Sequence, residues 1–118
     1  MNFGKYFKGL REEKKKTQKN IAEMIGKTTM YISCVELEKN APFITADLKK
    51  ISKKMELSST EECELYKMAA LTRGTLPEYL VKYVGFHDDA YELIETIARE
   101  NFDVERLKKI KNYVEKMR

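Results

Sequence analysis

The sequence predicts an all-α fold, with five N-terminal helices and a C-terminal helical hairpin. Three observations lead there. Only two prolines, Pro42 and Pro77, interrupt 118 residues. The stretches between them are rich in Lys, Glu, Leu, Ile and Met, which form helices readily. The apolar residues recur at intervals of three and four, the period of a helix with one buried face, and strands have little support.

Phe3, Tyr6, Phe7 and Leu10 share one helical face and leave Lys5, Lys8, Arg11 and Glu12 outward, so a first helix is expected from about Phe3 to Lys15. Lys14, Lys15 and Lys16 mark a basic corner. Thr17 is suited to cap a second helix carrying Ile21, Ala22, Met24 and Ile25, which Gly26 ends by supplying a left-handed residue. Thr28 caps a third, whose inward positions are Tyr31 or Ile32, Val35 and the stem of Met30, and which ends near Lys39 and Asn40 before Pro42.

Thr45 follows Ile44 as the expected cap of a fourth helix, with Leu48, Ile51, Met55 and Leu57 apolar and lysines at 49, 50, 53 and 54 between them. Ser58, Ser59 and Thr60 precede a fifth, with Glu61 and Glu62 placed well against the helix dipole and Leu65, Met68, Ala69 and Leu71 as its apolar positions. Thr72-Arg73-Gly74-Thr75 reads as the boundary, giving domains at 1–74 and 75–118. Beyond it come an apolar segment from Leu76 to Val84, a helix from about Asp88 to Asn101 and a last helix from about Val104 to Met117. His87, beside Asp88 and Asp89, reads as part of a helix start.

The charge is uneven. Residues 1–75 hold 15 Lys or Arg against 10 Asp or Glu, a balance of +5, whereas residues 76–118 hold 8 against 9, a balance of −1. A basic first part suits a polyanionic partner and leaves the second part for another task. Cys34 and Cys63 have no metal-ligand or disulfide spacing and are expected as ordinary buried thiols. No apolar run approaches a membrane span, and Met1-Asn2-Phe3-Gly4-Lys5 lacks the pattern of a signal peptide, so a cytoplasmic protein without a membrane partner is expected.

Residues Thr17 to Glu36 thus form two short helices joined by a tight turn. Gln18, Ile21, Ala22, Gly26, Thr28, Tyr31, Ile32, Ser33 and Glu36, followed by Pro42, Thr45, Leu48 and Ile51, resemble the lambda repressor and Cro-like helix-turn-helix family, also named for the xenobiotic response element. The resemblance covers roughly residues 3 to 70 and implies a five-helix domain that binds double-stranded DNA. It implies phosphate contacts from Gln18 and Lys19, base contacts from Thr28, Thr29, Met30 and Ser33, and a position near the DNA backbone for Tyr31. Lys27 supplies a cation at the start of the third helix, and the hydroxyls and thioether around it suit phosphates, base acceptors and a thymine methyl. For Thr28, helix capping is an equally good explanation and is compatible with a phosphate contact.

Two positions depart from the family pattern. Lys27 replaces the usual hydrophobic residue after the turn glycine, and Glu38 replaces a glycine two residues past Glu36. Glu38 is expected to shift the exit turn to Asn40, which tolerates left-handed geometry, and to weaken affinity if it lies near phosphate.

One short helix reads few base pairs, and such domains commonly act in pairs. The tail supplies an expected dimer contact through Leu93, Ile94 and Ile97 on one helix and Leu107, Ile110 and Val114 on the next. The expected activity is that of a repressor acting as a homodimer. An antitoxin whose tail covers a toxin partner, and an adapter that binds proteins rather than DNA, are the alternatives. No catalytic constellation, phosphate-cradling loop or metal cluster is legible, so no enzyme and no cofactor is expected.

Overall fold

The computed structural model describes residues 2–118, which form eight α-helices and no strand. The chain divides into two compact units, Met1–Pro77 and Glu78–Arg118. The first holds α1 (Phe3–Glu13), α2 (Gln18–Ile25), α3 (Thr29–Glu36), α4 (Thr45–Lys54) and α5 (Ser59–Thr72).

These five helices enclose one core. Phe3 and Phe7 of α1 stack with ring centroids 5.7 Å apart, and Phe43, in the connection before α4, meets Phe7 edge-on at 5.0 Å. Ile21, Ile32, Ile51 and Leu65 bring α2, α3, α4 and α5 onto the same centre, all fully buried. The expected apolar faces of α1, α2, α4 and α5 are therefore the faces that the core uses.

Side-chain caps fix several helix starts. Asn2 accepts from the Lys5 N–H at 2.7 Å at the head of α1. Thr17 and Asn20 exchange bonds of 2.9 and 3.0 Å at the head of α2, and Ser58 and Glu61 form the same reciprocal box at the head of α5. Lys14 reaches Glu61 at 2.7 Å, and that bond holds the Glu61 carboxyl below its ordinary value.

Several sequence expectations are corrected. The first helix stops at Glu13 because Lys15 adopts a left-handed backbone, φ 58°, which ends a right-handed helix. Arg11, expected outward, is buried at 8% exposure, because a guanidinium with its carboxylate partner can enter a core that excludes an unpaired one. α3 ends at Glu36 rather than near Lys39 and Asn40, and the left-handed residue is Glu38, φ 62°, rather than Asn40. The Lys39 N–H returns to the Cys34 carbonyl at 2.8 Å across that residue, which closes the turn there. α4 takes Ile44 as its cap residue with no side-chain bond, and Thr45 is already helical. Cys34 is half-buried and Cys63 exposed, so neither is the enclosed thiol expected: their helices turn those faces away from the shared centre.

The second unit holds α6 (Glu78–Phe86), α7 (Asp88–Arg99) and α8 (Val104–Glu115). Its tail is three helices rather than a hairpin of two, since the apolar segment after Leu76 is helical from Glu78. The Tyr, Val and Phe residues there and Gly85 have low helix propensity, which obscured it. Within this unit α6 packs against α7. His87 stands at the start of α7, as its neighbours Asp88 and Asp89 suggested, without a side-chain capping bond, and its ring stacks on Tyr83 with centroids 4.2 Å apart.

Candidate nucleic-acid interface

α2 and α3 meet across a turn set by two residues. Gly26 adopts φ 66°, ψ 35°, and the Lys27 N–H turns back to the Ala22 carbonyl at 2.9 Å, which closes the end of α2. Thr28 then takes an extended backbone, and its hydroxyl accepts from the Tyr31 N–H at 3.1 Å, starting α3 after a single intervening residue.

Past this turn, Lys27, Thr28, Thr29 and Met30 form one continuous exposed stretch at the N-terminal end of α3. Met30 is 76% exposed, which corrects the expectation that its stem faces inward. Ile32 and Val35 already fill the core side of α3, and Met30 lies on the opposite side of the helix. Ser33 and Tyr31 are half-buried. Tyr31 lays its ring edge-on to Phe43 at 5.9 Å, and burial raises its phenol above the ordinary value, with Asp47 adding to the effect and Arg73 opposing it. The phenol is therefore a neutral donor at physiological pH.

Gln18 and Lys19 occupy the first turn of α2, Lys19 exposed and Gln18 half-buried. The Gln18 amide donates to Glu36 Oε1 at 3.0 Å. Glu36 in turn accepts two bonds from Arg11, at 2.7 and 3.0 Å, and Arg11 donates a further bond to the Lys16 carbonyl at 2.9 Å. Four polar groups from α1, the turn after it, α2 and α3 thus share one network. It fixes the start of α2 against the end of α3 and leaves the outer side of both helices free for contacts.

Gly4 brings α1 against the end of α3. A Cβ added there would lie 2.6 Å from the Val35 carbonyl oxygen and closer still to that of Glu36, so only glycine permits this approach. The sequence reading missed Gly4 and Arg11 as site-forming residues. Arg11 stands one helical turn after Phe7, at the edge of the apolar face, and that placement beside a distant matched Glu36 was the available signal.

The exit from α3 carries its own bond, from Asn2 Nδ2 to Glu38 at 2.6 Å, which holds the carboxylate of the unusual left-handed residue. Lys15, Lys16 and Lys54 meet around a shallow cleft that also includes Asn20, Glu23 and Met24. The six tail residues named for dimer contact lie in the second unit, where Leu93, Ile94, Leu107 and Val114 are exposed and Ile97 and Ile110 half-buried. Among the described residues no cluster of His, Cys, Asp or Glu suits a metal, and no helix is long and apolar enough to cross a membrane. No known protein-family model, no curated protein and no solved structure matches the chain.

Proposed function

We propose that the first unit is a lambda repressor-like domain that binds duplex DNA sequence-specifically and regulates transcription as a repressor, with the N-terminal end of α3 in the major groove. The observation that carries this reading is the exposed run Lys27, Thr28, Thr29 and Met30 at the start of a helix whose opposite side buries Ile32 and Val35. A fixed helix end presenting a cation, two hydroxyls and a flexible thioether matches the donors, acceptors and thymine methyl groups of base edges. The excess positive charge of residues 1–75 supports it, because neutralised phosphates supply most of the affinity in such complexes. In this arrangement Gln18 and Lys19 meet the DNA backbone and α2 crosses it.

Titration of the protein onto the DNA upstream of its own gene, and onto a shuffled duplex of equal length, tests the reading. The upstream duplex is expected to bind about a thousandfold more tightly, with both affinities falling as salt rises. A Thr29→Ala, Met30→Ala double variant is expected to lose the preference while retaining the salt dependence. Equal affinity for both duplexes, unchanged in the double variant, counts against it.

A further inference from the structure

The side of α3 turned away from the core is apolar along its length. Met30, Cys34 and Leu37 stand four and three residues apart, so they form one strip along the helix, opposite Ile32 and Val35. Met30 is 76% and Leu37 63% exposed, with Cys34 half-buried between them. Leu37 belongs to the helical surface, since its N–H still bonds to the Ser33 carbonyl at 2.9 Å. Thr29 and Ser33, also one turn apart, add only short hydroxyls along one edge of the strip. The Thr28 hydroxyl is already taken by the Tyr31 N–H, and the Glu36 carboxylate by Arg11 and Gln18.

The residues from Thr28 to Leu37 include no Arg, Lys, Asn or Gln. Those four are the side chains that take guanine or adenine edges by paired hydrogen bonds in the major groove, where the C5 methyl of thymine is the apolar group on offer. Cations stand beyond both ends of the strip, Lys27 before α3 and Lys39 after it, both exposed. Glu38, between Leu37 and Lys39, is held by Asn2 at 2.6 Å. An apolar strip bounded by cations suits a polyanion that displays methyl groups better than it suits the apolar groove of a protein. Met30 and Leu37 lie roughly 10 Å apart along the helix axis, the length of about three base-pair steps.

We infer that α3 reads thymine methyl groups: Met30, Cys34 and Leu37 pack against a short run of T·A pairs, while Lys27 and Lys39 meet phosphates to either side. Met30 and Leu37 are then the specificity-determining residues, and α3 reads no guanine. The inference rests on the DNA reading and names the bases that the exposed helix accepts.

Selection of duplexes from a random-sequence pool by the full chain, followed by resynthesis of the recovered site with deoxyuridine in place of one thymine at a time, tests it. The recovered site is expected to contain a run of T·A pairs, and removing a single methyl within that run is expected to weaken binding about fourfold, the effect of losing one buried methyl group. Met30→Ala and Leu37→Ala, both at exposed positions, are each expected to abolish the response to one of these deoxyuridines, with the thermal midpoint as the check that each variant folds. A recovered site that tolerates deoxyuridine throughout, or a response that both variants retain, overturns the inference and leaves the DNA reading intact. A pool that yields no preferred site overturns both, and is the outcome expected of a strip that docks a protein.

Discussion

Arg11 on α1 and Glu36 at the end of α3 are joined by two hydrogen bonds, of 2.7 and 3.0 Å, inside the first unit. The pair orients the candidate interface, because Glu36 also holds the Gln18 amide at the start of α2.

Arg11→Ala leaves Glu36 buried without its cation. The expected loss is about 3–5 kcal/mol, the range seen when one member of a buried ion pair is removed. Arg11→Met combined with Glu36→Leu is expected to recover most of it, since an apolar pair needs no desolvation of charge. Urea denaturation of the two variants beside the parent checks both, and an Arg11→Ala midpoint equal to that of the parent contradicts the account.

Gly4→Ala forces a methyl group into the carbonyls of Val35 and Glu36. A destabilisation of about 1–3 kcal/mol is expected from overpacking, despite the higher helix propensity of alanine. Gly9→Ala, at a helical position with open space around it, is expected to stabilise. The sign difference between the two thermal midpoints is the measurement.

Glu38→Gly relieves a left-handed backbone at the exit of α3 and gives up the exposed bond from Asn2. Left-handed geometry costs a residue with a side chain about 1–2 kcal/mol, more than one exposed hydrogen bond returns. The variant is expected to melt higher than the parent, and a lower midpoint shows that the Asn2 contact dominates.

Tyr6 titrates at about 12 in the folded protein, raised from 10.0 first by burial and then by Glu64, Glu61 and Glu13. The folded state therefore keeps this proton where the unfolded chain releases it. Its contribution is complete below pH 10 and is lost as the pH rises from 10 through about 12. Denaturant midpoints across this window are expected to fall less steeply for Tyr6→Phe than for the parent.

The helical class, the apolar faces of α1, α2, α4 and α5 and the turn at Gly26 were legible in the sequence, because they depend on local periodicity and on backbone preferences of single residues. Thr17 and Thr28 were legible as caps for the same reason: a hydroxyl one turn ahead of an apolar run has a nearby N–H to accept from. The end of α3 was not legible. Asn40 has the better intrinsic tolerance of left-handed geometry, yet Glu38 adopts it, because the bond from Lys39 to Cys34 and the grip of Asn2 act there.

Residue patterns alone determined that this chain is helical, that its basic excess is N-terminal and that Lys27, Thr28, Thr29 and Met30 gather at one helix start. Tertiary structure alone decided that Arg11 turns inward to Glu36, that Gly4 lets α1 touch α3, and that the second unit buries none of its apolar side chains. The first group rests on neighbours within a turn or two of helix, whereas the second depends on which distant residues meet. A one-dimensional pattern holds no distances between helices, and burial of a charge or of an apolar face is a property of those distances.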